Sequence, residues 1–138
     1  MNEKETIKLA NKLEKMIKLN QLEEIQKLNH SIKILDRENY SDIFIDACDS
    51  GNFEIVKYLF ELRNPGEYAL HDGFRCCLDV GNLNTIKVLI CDLKIQKNSD
   101  VNEELKRHLD NLKEWNEDFY NEVITLFNPT NKLKSPKK

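Results

Sequence analysis

Ser50-Gly51-Asn52-Phe53-Glu54-Ile55-Val56-Lys57-Tyr58-Leu59 is followed, 30 residues later, by Val80-Gly81-Asn82-Leu83-Asn84-Thr85-Ile86-Lys87-Val88-Leu89. Gly, Asn, an apolar residue and then an apolar-Lys-apolar-Leu series recur in register. The match extends upstream, where Asp42, Phe44 and Asp49 align with Asp72, Phe74 and Asp79. A weaker copy precedes both. In it Leu13, Met16 and Ile17 take the places of Phe44, Ala47 and Cys48, while Leu22, Ile25 and Leu28 take those of Phe53, Val56 and Leu59. A distorted last copy is read in Tyr120, Val123, Leu126 and Phe127, preceded by a helix carrying Leu105, Leu109, Leu112 and Trp115.

Each unit reads as two helices. Apolar residues three, four and seven apart give each helix one apolar face. Gly51 and Gly81 separate the helices of a pair, since glycine accepts the left-handed backbone that stops a helix. Asp42 and Asp72 are expected to cap the first helix of their units. One helix pair cannot bury its apolar face alone, so about three stacked units are needed. A plain helical bundle with regular helix lengths is the alternative.

The repeated unit resembles the ankyrin repeat. The family's second-helix signature, Gly-(His/Asn)-apolar-Glu-apolar-Val-Lys-apolar-Leu, is close to residues 51–59, and Ala47-Cys48 looks like its paired small residues. The resemblance is strongest over 42–62 and 72–93 and weak over 11–31 and 105–127. It implies an all-α, short helical-repeat solenoid over residues 1–127, with capping helices and no catalytic role. The family's Thr-Pro-Leu-His opening would fall on Asp42-Ile43-Phe44-Ile45 and Asp72-Gly73-Phe74-Arg75, and neither segment has it. The periods of 31 and 30 residues are shorter than the usual value of about 33. The loop that would form a β-hairpin finger is therefore trimmed, and Arg63-Asn64-Pro65-Gly66-Glu67 reads as a simple turn.

Partners of the family dock on the face lined by the first helices. The resemblance places Asp46, Asp49 and Asp79 on that face, with Arg75 beside them and Arg63 and Asn64 in the adjoining loop. Glu67, Lys94, Gln96, Lys97 and Asn98 are further loop candidates. Carboxylates there would steer a basic partner protein. In the weak first unit Lys15 and Lys18 align with Asp46 and Asp49, which confines the acidic patch to the central units.

Composition narrows the other classes. A chain of 138 residues suits one domain. Four glycines and three prolines are too few for an all-β fold with many tight turns. No apolar run approaches the roughly 18 residues of a membrane span, and the mixed charges of residues 1–6 do not read as a secretory signal. Cys48, Cys76, Cys77 and Cys91 are expected as free thiols in a reducing compartment. His71 with Cys76 and Cys77 offers zinc-type ligand chemistry but no paired-cysteine spacing, so core cysteine is preferred. No cofactor, metal or catalytic residue is expected.

The net charge of −3 includes four lysines in residues 128–138, leaving −7 on residues 1–127. That tail, with Lys134, Ser135, Lys137 and Lys138, is expected to be a disordered, solubilising end; its lysines also support a second reading as a nucleic-acid-associated or packaging protein, held by weak phosphate contacts. A third reading is a structural subunit of a larger assembly, stacked through its exposed ends. The Asn-, Lys- and Ile-rich bias is similar to that of ankyrin-like proteins of amoebae and large DNA viruses, which implies a cytoplasmic or virion location.

Overall fold

A computed structural model describes residues 2–127, all helix and connecting turns, with no strand among them. The basic tail, with Lys134, Ser135, Lys137 and Lys138, lies outside the described residues. Helix α1 spans Glu3–Lys18, followed by the short α2 (Leu22–Gln26) and α3 (Asn29–Lys33). Then come α4 (Arg37–Ser50), α5 (Phe53–Leu62), α6 (Glu67–Val80) and α7 (Leu83–Lys87). Helix α7 runs on into a π-helical turn, Val88–Asp92. Helices α8 (Ser99–Trp115) and α9 (Glu117–Ile124) follow, and a short 3-10 turn, Thr125–Phe127, is the last of the described residues.

The start of each long helix has its own chemistry. Asn2 and Glu5 form a reciprocal capping box at α1. Asp36 caps α4 by accepting a hydrogen bond from Asn39 N, and Asn98 caps α8 through Asp100 N and Val101 N. Helix α6 follows Gly66, whose N–H donates to Asn64 Oδ1 in the Pro65-Gly66 turn. Asp42 and Asp72 are therefore not caps: both lie inside helices that begin five residues earlier. The connection between α5 and α6 is the short turn expected at Arg63-Asn64-Pro65-Gly66, and the first helix of the next unit begins directly after it.

The repeat recurs in the structure. Residues 37–50 and 67–80 are both helical, as are 53–62 and 83–92, each pair shifted by 30 residues. Buried positions recur at the same shift: Phe44 with Phe74, Ala47 with Cys77, Val56 with Ile86 and Leu59 with Leu89. Burying a side chain such as Leu59 contributes about 2 kcal/mol from apolar area alone. Gly51 and Gly81 both end their helices with left-handed backbone, at φ 74° and 73°. The N–H groups of Asn52 and Asn82 return to the carbonyls of Ala47 and Cys77.

Helices α1, α4, α6 and α8 form one layer in chain order, each packed on the next, with α2, α5, α7 and α9 following them as hairpin partners. All four long helices run in the same direction. Asn98 at the start of α8 donates to Glu67 at the start of α6. Asn82, after α6, reaches Gly51 O after α4, and Asn52 likewise donates to Ile17 O at the end of α1. The two repeated asparagines thus tie each turn to the preceding unit. Helices α4 and α6 approach closely at Gly73, where a Cβ would come within 2.7 Å of Cys48 Sγ.

At the far end Val123 is buried, Phe119 and Tyr120 pack on the core, and the Phe127 ring stands edge-on to Phe74 at 6.1 Å. Trp115 departs from the apolar face expected of this helix. It is 57% exposed, on the last turn of α8 beside Arg75 and Asp79 instead of over the core. The buried face of α8 is made by Val101, Leu105, Leu109 and Leu112.

Candidate functional site

A groove of about 440 Å³ runs along the first three long helices. Helix α1 supplies Glu14, α4 supplies Asp42 and Asp46, and α6 supplies Asp72 and, at the rim, the exposed Tyr68. Apolar positions of α4 such as Phe44, Ala47 and Cys48 face the core, so Asp42, Asp46 and Asp49 fall on its other side.

Two of the groove carboxylates have counter-ions. Glu14 pairs with Lys18 at 3.3 Å, and Asp72 accepts from Arg75 Nε at 2.8 Å. Asp42 and Asp46 form no ion pair among the described residues. Asp46 is half-buried, and its carboxyl is pushed up to about 6, first by burial and then by the charges of Glu14, Asp42 and Asp49. Lys18 acts in the opposite sense. The groove therefore holds negative charge that is short of positive neighbours and would be relieved by a bound cation.

The other sequence candidates separate into distinct roles. Asp49 is exposed at the end of α4. Arg75 spans Asp72 and Asp79, donating to Asp79 Oδ2 at 2.8 Å, so one guanidinium offsets half the charge of the two acids on α6. The equivalent position on α4 is Ile45, which is why Asp42 and Asp49 have no such clasp. Arg63 is engaged inside the fold: its guanidinium donates to Leu35 O at 2.5 Å and Lys33 O at 3.2 Å, and lies 4.7 Å from the centre of the Tyr40 ring. Asn64 shapes the turn before α6.

Sequence reasoning missed Glu14 and Asp42 as groove residues. Glu14 falls opposite Ile45 in the repeat register, so nothing local marks it, and an acid at position 42 reads equally well as a cap. Also missed was a pair of histidines between α6 and α8. His71 Nδ1 and His108 Nε2 lie 3.2 Å apart, and Glu104 is one turn before His108. Burial, followed by His71 and Arg75, lowers the His108 pKa. The cysteines are uninvolved in that contact. Cys48 and Cys77 are buried, with Cys77 Sγ donating to Cys48 O. Burial chiefly pushes the Cys76 thiol up to about 11, away from nucleophile chemistry.

Among the described residues no helix is long and apolar enough to cross a membrane. No family model, curated protein or solved structure matches this chain.

Proposed function

We propose that this chain is a short ankyrin-like stack that works as a non-enzymatic protein-binding module, taking a lysine- or arginine-bearing segment of a partner protein into the α1–α4–α6 groove. The carrying observation is Asp46, half-buried among Glu14, Asp42 and Asp49 without a counter-ion of its own. A carboxylate held in that way gains more from a docked cation than an ordinary surface acid does. Tyr68 at the rim adds an exposed aromatic face for the stem of a basic side chain.

The ankyrin-like reading rests on the 30-residue recurrence of helix bounds, the left-handed glycines and the parallel layer of first helices. Two departures set limits on the likeness. The connection at residues 63–66 holds no β-hairpin finger, and α3 is an added turn of helix between the first and second units. A rigid layer of long helices keeps the ordering cost of binding low.

The test is calorimetric titration with lysine- and arginine-rich peptides at several salt concentrations, using the native chain and a double reversal, Asp42→Lys with Asp46→Lys. Binding that weakens with salt and disappears in the double variant supports the reading. Equal binding by the native and reversed chains overturns it. Capture from lysate with the same pair then identifies the natural partner.

A further inference from the structure

We propose that His71, Glu104 and His108 form a binding site for a divalent transition metal of the zinc type, which would staple α6 to α8. One ligand atom from each of the three residues lies within 4.8 Å of the other two. All three are half-buried, between two helices that the core already holds in register.

The distances suit a tetrahedral ion. Two nitrogens bound at about 2.05 Å and separated by the tetrahedral angle stand about 3.3 Å apart. His71 Nδ1 and His108 Nε2 stand at 3.2 Å. Glu104 and His108 are four residues apart on α8, so both side chains project from one face of that helix. The glutamate is the hard donor that completes two imidazoles, a mixture suited to zinc, copper or nickel. Three protein ligands leave a fourth position for water or for a side chain of a partner.

The surroundings favour this reading. The Tyr68 ring stands edge-on to His71 at 5.5 Å, restricting how that imidazole turns. Among the described residues two contacts compete with an ion: the hydrogen bond between the two imidazoles, which loses its proton when both nitrogens ligate, and an ion pair of Glu104 with Arg107 at 3.5 Å, where Arg107 is exposed enough to swing away. No local sequence spacing announces the site, because His71 lies 33 residues before Glu104 and on a different helix.

The test uses the untagged full chain with Zn²⁺ and Co²⁺. At a hundredfold excess of Zn²⁺ over its Kd, the melting temperature is expected to rise by roughly 5–10 °C. Co²⁺ is expected to give the intense visible bands of a tetrahedral ion without the near-ultraviolet thiolate band that cysteine ligation produces. H71Q and H108Q should each weaken binding at least tenfold, while H30Q and C76S leave it unchanged. Binding in H71Q and H108Q equal to the native chain overturns the proposal, as does a thiolate band or a Co²⁺ spectrum identical to the aqueous ion. If either variant fails to fold, the Co²⁺ spectrum of the native chain decides the matter. This outcome is independent of peptide binding in the acidic groove.

Discussion

Replacing Asp46 by Asn should stabilise the folded chain at neutral pH while weakening its hold on a basic peptide. The carboxyl of Asp46 titrates at about 6 in the fold against an ordinary 3.8. A folded pKa above the unfolded value means that the native state binds the proton more tightly. Stability from this group is therefore gained as pH falls through 6 and is absent above it. A shift of roughly two units corresponds to at most about 3 kcal/mol. Asp46 is only half-buried, so solvent screening reduces the expected effect to about 1 kcal/mol. Urea unfolding of both proteins at pH 4, 5, 6 and 7.5 measures it. The D46N advantage should be largest at pH 7.5, fall by about half at pH 5 and to about a fifth at pH 4, below which it is lost. His108 titrates in the opposite direction, because its lowered folded pKa removes stability as pH drops below 6.5. Taking the difference between the two proteins at each pH cancels that contribution. A variant less stable than the parent at pH 7.5, or a difference that does not change with pH, would refute the claim that Asp46 is held under electrostatic stress.

Other perturbations separate structural residues from binding ones. Arg75→Gln frees Asp72 and Asp79, so basic peptides should associate several-fold faster at low salt, with the gain lost at high salt, as stopped-flow fluorescence can show. Arg63→Ala removes the contacts to Leu35, Lys33 and Tyr40 and should cost about 2 kcal/mol in denaturant unfolding, with peptide affinity unchanged. Asn82→Ala loses the cap on Thr85 and the tie to Gly51, and should cost about 1–2 kcal/mol by the same measurement. Gly73→Ala crowds Cys48 in the α4–α6 contact and should cost about 1–3 kcal/mol, read as a lower melting temperature.

What the sequence disclosed follows from where its information is local. Gly51 and Gly81 were legible because only a left-handed residue ends two helices so abruptly. The paired positions Phe44 and Phe74 were legible because a buried ring must recur when the unit recurs. Asp42 and Asp72 were misread because a capping residue and a mid-helix acid look alike until the helix start is known. The true starts depend on Asp36 and on the Pro65-Gly66 turn. The clasp of Asp72 and Asp79 by Arg75 was within reach, since those residues are three and four apart on one helix. Glu14 could join Asp46 only through the packing of α1 on α4, and His71 could meet His108 only through that of α6 on α8. Such contacts depend on how neighbouring helices are registered, a quantity that no single helix encodes.

The common direction of the four long helices gives the molecule an electrical polarity. Each helix carries about half a positive charge at its N-terminal end and half a negative charge at the other. The four long dipoles add, and the shorter hairpin partners α2, α5, α7 and α9, which run back the other way, offset them only in part. Glu3, Glu5, Glu38, Glu67 and Asp100 sit in the first turns and offset the positive edge. At the opposite edge Lys15 and Lys18 offset the end of α1, and Lys113 that of α8, while the last turns of α4 and α6 contain no base. Arg75 lies one turn back on α6, and nothing comparable serves α4. The deepest negative potential is therefore expected at the end of α4, next to Asp46 and Asp49. An approaching cation would be turned as well as attracted, and a basic peptide would meet the groove with its orientation already biased.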